Sequence, residues 1–223
     1  MTVKERLENI NHELKPFHAQ LLAVSKTHPA EVVKEAYDAG QRIFGENKVQ
    51  ELVSKAKELP KDIQWHLIGH LQTNKVKQIA PFISLIHSVD SLKLLEEINK
   101  EARKNDRVID CLLQAYIAKE ETKFGLNYDE AESLLNSDAL THLKNIRITG
   151  LMGMATLTDN QQQIRNEFKS LKQFFDNLKS KIPNLKSLSM GMSSDYKIAL
   201  EEGSTMVRIG TAVFGQRDYS AKQ

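Results

Sequence analysis

Short apolar runs alternate with longer amphipathic ones along the chain, and that alternation predicts its fold. Val3, Leu7, Ile10 and Leu14 share one face at helical spacing, which predicts a helix over 3–15. Leu21-Leu22-Ala23-Val24 follows as a continuously apolar strand, the kind buried on both faces in a parallel sheet. After Ser25-Lys26-Thr27-His28, Pro29 stands where the next helix begins. The pattern then repeats as helix 30–39, strand 42–44, helix 46–59, strand 64–68, helix 73–80 and strand 85–87. Helix 91–104, strand 108–117, helix 128–140, strand 146–149, helix 160–180, strand 187–190, helix 194–202 and strand 205–209 complete it. Eight strands alternating with helices in 223 residues predict an α/β fold, a single (β/α)8 TIM barrel with an extra N-terminal helix. No linker or low-complexity segment divides the chain, so one domain is expected over 1–223. A doubly wound open sheet is the alternative; it needs fewer strands, and no glycine-rich dinucleotide turn follows the first strand.

In a barrel, polar residues at the C-terminal strand ends converge on one mouth. Here the mouth collects Lys26, Asn47, His66, His87, Met152, Ser193, Arg208, Gly210 and Thr211. The stretch LSMGMSSDYKIALEEGSTMVRIGTAVFG, residues 188–215, reads as one βαβ unit whose two strands both run into glycine and small hydroxyl residues. Gly191, Ser193 and Ser194 offer backbone N–H groups and hydroxyls at a helix start, Gly210 and Thr211 offer a second set, and together they suit one phosphate. Met192 lies in the same turn. Arg208, in an otherwise apolar strand, needs an acceptor. The plainer reading is a pair of tight turns with a salt-bridged arginine, and for Lys26 a lysine that snorkels to the surface. A lysine at one strand end facing a phosphate cradle suggests a carbonyl cofactor held as a Schiff base with its phosphate tethered, and pyridoxal 5'-phosphate (PLP) is the candidate.

Composition narrows the alternatives. The 31 basic and 29 acidic residues leave a net charge of +2, which gives no broad footprint for nucleic acid. The single cysteine, Cys111, sits in an apolar run, rules out an intrachain disulfide and fits a reducing compartment. With no signal-peptide core at the N-terminus and no apolar run of membrane-spanning length, a cytoplasmic protein is expected. His66 and His70 stand four apart, but on a strand that runs into Gly69, so their rings do not share a face and no metal is expected. Lys75 and Lys123 follow strand ends and read as solvated lysines.

Seven segments then carry a family resemblance. AVSKTHP around Lys26, FGENKVQE at Phe44–Glu51, WHLIGHLQTNK at Trp65–Lys75, HSVDS at His87–Ser91, TKFGL at Thr122–Leu126, GLMGM at Gly150–Met154 and SMGMSSDY…GSTMVRIGTAVFG resemble, in order, the PLP homeostasis protein family (YggS/PROSC type). The resemblance implies a barrel of the alanine-racemase N-domain type with PLP on Lys26. It also implies that Arg208 faces the pyridine nitrogen, and that Ser193, Ser194, Gly210 and Thr211 hold the phosphate. Asn47, His66 and Met192 complete the expected cofactor-binding set. Tyr116 departs from the pattern, standing where the family has asparagine.

A PLP racemase needs an acid/base on each face of the substrate α-carbon. In alanine racemases one comes from a tyrosine on a separate β-domain, for which this chain has no room. Tyr37, Tyr128, Tyr196 and Tyr219 fall in helices or the polar tail 216–223, and Tyr116 alone lies near a strand end. An arginine can only donate, so the pyridine nitrogen would stay unprotonated and the ring a weaker electron sink. The expectation is therefore a monomeric PLP carrier serving client enzymes, without a catalytic residue, a nucleic-acid partner or a membrane partner. An amino-acid racemase with Tyr116 or a partner protein supplying the second base, and a PLP-free barrel using Lys26 on a sugar phosphate, are the alternatives.

Overall fold

The computed structural model describes residues 1–118, 124–182 and 184–215. Eight strands, β1 (Gln20–Val24), β2 (Ile43–Glu46), β3 (Gln64–Leu67), β4 (Leu85–Val89), β5 (Ile109–Ala115), β6 (Ile146–Gly153), β7 (Ser187–Met192) and β8 (Met206–Ile209), pair in chain order. Every pairing is parallel, and β8 returns to β1 through Leu22↔Arg208 and Ala23↔Ile209, which closes the barrel. The α/β barrel expected from the alternation is the observed fold.

The helices form the outer layer. They are α1 (Val3–Leu14), α2 (Ala30–Asp38), α3 (Val49–Glu58), α4 (Val76–Ile79), α5 (Leu92–Lys104), α6 (Tyr128–Leu135), α7 (Asp138–Thr141), α8 (Gln161–Lys181), α9 (Tyr196–Glu201) and α10 (Thr211–Phe214). The extra N-terminal helix begins at Thr2, whose hydroxyl accepts from the Glu5 N–H while Glu5 reaches back to the Thr2 N–H, a capping box. Of the face predicted for it, Leu7, Ile10 and Leu14 are buried and Val3 is half-buried against the core.

Strand alternation sorts the apolar residues into two clusters. Leu21, Ala23, Phe44, Trp65, Leu67, Ile86 and their neighbours pack outward against the helices as the main core. Leu22, Val24, Leu85, Leu112, Met152 and Met206 fill the barrel interior. Parity therefore puts Ser25 on the outward face and Lys26 with Leu22 and Val24, toward the mouth.

Departures from expectation are largest at four places. The helix expected over 46–59 starts at Val49, because Gly45 and Glu46 remain in β2, paired with His66 and Leu67. The helix expected over 128–140 breaks at Asn136–Ser137, where the Ser137 hydroxyl caps a separate turn. Strand β6 continues four residues beyond 149, to Gly153, because Gly150, Leu151 and Met152 still pair with β7. The segment after Gly210, for which no element was expected, is the short helix α10.

Candidate cofactor site

Lys26 lies two residues past the end of β1 and is half-buried at the mouth. The Ser25 N–H donates to the Gly45 carbonyl at 3.0 Å, so the ladder with β2 extends one residue past the strand. Thr27 turns the chain with φ of 69°, in the left-handed region that a β-branched residue rarely adopts. His28 then packs against Phe214 of α10, with ring centroids 4.9 Å apart and the rings tilted by 32°, which ties the loop carrying Lys26 to the element after β8.

Arg208 is buried on β8, and its acceptors lie on the adjacent strand β7 and at the end of β6. One terminal nitrogen donates to the Ser189 carbonyl and hydroxyl, each at 2.8 Å, and the other donates to the Gly153 carbonyl at 3.0 Å. These bonds use three of the five guanidinium donors and leave the rest of the fork for a further acceptor. Burial lowers its pKa to about 10, opposed by the charge of Asp195, so it stays protonated at neutral pH.

A chain of buried hydrogen bonds continues from Arg208. Ser189 Oγ lies 3.1 Å from His87 Nδ1, and His87 Nε2 lies 3.1 Å from His66 Nδ1. Because arginine can only donate, the polarity that satisfies each hydrogen has Ser189 donating to His87 Nδ1 and His87 Nε2–H donating to His66 Nδ1. His66 is thereby left with its proton on Nε2. Burial lowers both imidazole pKa values, that of His66 to about 3, and His87 is pushed down further by His66 and Arg208. Both rings are neutral.

The two glycine–hydroxyl turns meet. The Gly210 N–H points at Ser193 Oγ at 3.4 Å. Ser193, Ser194 and Thr211 are exposed beside it, while Asp195 closes the turn by accepting from the Met192 N–H at 2.6 Å. Gly191 has φ of 95°, and a Cβ there would fall 2.6 Å from Ala199 Cβ. A Cβ on Gly210 would lie 3.1 Å from the Val24 carbonyl, at the end of the strand that carries Lys26. A cavity of about 580 Å³ adjoins the turns, with Met154, Thr156, Leu157, Met192 and Ser194 among its walls. It runs along the β6–β7 side of the mouth; neither Lys26 nor Arg208 lines it.

Asn47 is half-buried just past β2, and its carbonyl lies so close to Gly69 that a Cβ there would come within 2.3 Å. His66 and His70 diverge as expected: His70 is exposed and stacks on Phe124. Lys75 is half-buried in the turn Thr73–Lys75. Lys123 and the tail 216–223, with Tyr219, lie outside the described residues. Two features escaped the sequence reading. Ser189, which links His87 to Arg208, is signalled only by the polar–apolar alternation of SLSMGM. The buried Glu46–Lys55 pair, 2.7 Å apart, carries no local signal, since Lys55 looks like one more lysine on a solvated helix.

The residues present fit a phosphorylated carbonyl cofactor: a lysine, a buried cationic donor and a two-turn cradle converge on one mouth. Comparison with known proteins agrees. Residues 2–218 match the alanine racemase N-terminal domain family. A pyridoxal phosphate homeostasis protein of Aquifex aeolicus is 42% identical over 90% of this chain and 88% of its own length. The protein of that name from Escherichia coli is 39% identical over 93% and 89%. PipY of Synechococcus elongatus, solved with PLP bound, is 39% identical with a TM-score of 0.86 over 96% of this chain and all of its own. Alanine racemase from Bartonella henselae shares the fold, with a TM-score of 0.71 at 16% identity. With its barrel, its mouth and this likeness along nearly its whole length, the chain belongs to the pyridoxal phosphate homeostasis proteins of the alanine racemase N-terminal domain family.

Proposed function

We propose that this protein binds PLP at the barrel mouth through a Schiff base to Lys26, and that it holds and supplies the cofactor to client enzymes without efficient turnover of amino acids. The observation that carries the reading is the buried, protonated Arg208, held by Ser189 and Gly153 with donors to spare, on the strand that runs into the joined turns at Gly210 and Ser193. The Lys26 amine condenses with the cofactor aldehyde and releases one water. Ser193, Ser194, Gly210 and Thr211 supply hydroxyl and backbone donors to the phosphate. Arg208 donates to the pyridine nitrogen, with Asn47, His66 and Met192 around the ring. Bound PLP supplies an electron sink for charge on an attached amine; an arginine donor, which cannot transfer its proton at neutral pH, keeps that sink weak.

The tyrosines support a holding role. Tyr37 donates to Asp62, Tyr128 shares a hydrogen bond with Ser170, and Tyr196 donates to Glu13, all in the helical layer. Among the described residues Tyr116, just past β5, is the tyrosine at the mouth, and it is the observation that keeps a racemase as the second reading. Borohydride reduction of the PLP-loaded protein, followed by peptide mapping, should place the pyridoxyl group on Lys26; label confined to another lysine would refute the assignment. Deuterium exchange at the α-carbon of amino acids at about 1 s⁻¹ or faster, the low end for ordinary enzymes, would favour the racemase.

A further inference from the structure

Behind Lys26, in the layer between barrel and α3, lie three charged side chains that the cofactor site does not use. Lys55 Nζ donates to Glu46 Oε1 at 2.7 Å, to Glu51 Oε1 at 2.8 Å and to the Ser25 carbonyl at 2.7 Å. Glu51 Oε1 accepts the Thr27 N–H at 2.6 Å, and Ser25 Oγ donates to Glu46 Oε1 at 2.6 Å. The Ser25 carbonyl belongs to the peptide plane before the Lys26 Cα, and the Thr27 N–H to the plane after it. Both planes that set the direction of the Lys26 side chain are thus gripped from α3, one by a cation and one by an anion.

Burying such charges is a poor source of stability, because desolvation offsets most of the attraction. Lys55 is 5% exposed and Glu46 is fully buried, and Glu46 Oε2 is the one buried side-chain polar atom among the described residues without a hydrogen-bond partner. The surrounding layer is apolar, with Leu52, Leu67 and Ala23. The left-handed Thr27 lies in the same grip, and strained backbone persists where neighbours over-determine it. These features make little sense as a stabilising device and good sense as a geometric one.

We propose that Glu51 and Lys55, buttressed by Glu46, are positioning residues that aim the amine of Lys26 into the barrel mouth. The inference rests on the reading of Lys26 as the PLP lysine. Pyridoxamine 5'-phosphate separates the two: it carries the same ring and phosphate but an amine in place of the aldehyde, so it cannot condense with Lys26. Glu51→Gln and Lys55→Met should weaken PLP binding about ten- to a hundredfold, the range for a lost charge-assisted hydrogen bond, and leave pyridoxamine phosphate binding unchanged. Combined with Lys26→Ala, neither substitution should weaken PLP binding further. Equal loss for both ligands, or no loss for either in a folded variant, would overturn the clamp while leaving Lys26 as the cofactor lysine. A Schiff-base absorbance that persists in Lys26→Ala would overturn the cofactor assignment and the clamp with it. Should Lys55→Met not fold, Glu51→Gln, at a half-exposed position, carries the test alone.

Discussion

Acidification from pH 7 to pH 5 pits two buried groups against each other. His66 has its pKa lowered from 6.5 to about 3 by burial, so its contribution is present above pH 6.5 and is lost as the pH falls and unfolded chains take up the proton. Linkage puts that loss at about 2 kcal/mol between pH 7 and pH 5. Glu46 runs the other way. Burial raises its pKa from 4.5 to about 7 against the pull of Lys55, so its contribution is full below pH 4.5 and is lost as the pH rises through about 7. The native state takes up that proton on acidification and gains about 2 kcal/mol over the same window. The two nearly cancel, and His87, shifted in the same direction as His66, decides the sign: the cofactor-free protein should lose stability on acidification. Glu46→Gln removes the opposing contribution, so the variant should lose about 2 kcal/mol more than the wild type between pH 7 and pH 5. Urea unfolding at both pH values, followed by fluorescence of the single tryptophan, Trp65, buried beside Phe44, measures the difference. Parallel pH profiles for the two proteins would refute the argument that Glu46 is held above the carboxylate range.

Other outcomes follow from the same geometry. Gly191→Ala forces a left-handed alanine against Ala199 and the Tyr196 backbone, and should cost about 2 kcal/mol or more in thermal or urea unfolding. Ser193→Ala and Thr211→Ala should each weaken PLP retention roughly tenfold or more with unfolding midpoints unchanged, read by equilibrium dialysis; unaltered affinity in both would place the phosphate elsewhere. Arg208→Gln leaves part of the acceptor set at Ser189 and Gly153 unpaired in a buried site, and should lower stability by about 1–3 kcal/mol as well as PLP affinity.

The elements that the sequence reading placed correctly are those set by local rules. Continuous apolar runs such as Leu21–Val24 announce strands buried on both faces, and a run of eight separated by helices leaves a barrel as the compact solution. Lys26, Arg208 and the Ser193 and Gly210 turns could be picked out as candidates because each stands out against its own neighbours in the chain. Boundaries failed where tertiary pairing overruled local pattern: Gly45 and Glu46 look like a helix start, yet the Gly45 carbonyl accepts from Ser25 beyond β1 and the Glu46 carbonyl from Ile68 beyond β3.

Chain pattern by itself determined which residues face inward, which face the helices, and which strand ends carry polar chemistry, because a strand's period of two depends on nothing beyond the strand. It did not determine what stands opposite. Ser189 meets His87 across 102 residues, Lys55 reaches the Ser25 carbonyl across 30, and Ser25 meets Glu46 across 21. Those partnerships depend on the register with which the barrel closes, including its shifts within β4–β5, β5–β6 and β7–β8. A one-residue slip turns every side chain of a strand to the other face, so only the closed tertiary structure could decide that a helix-surface lysine would be buried behind Lys26, or that a strand serine would link a histidine to an arginine.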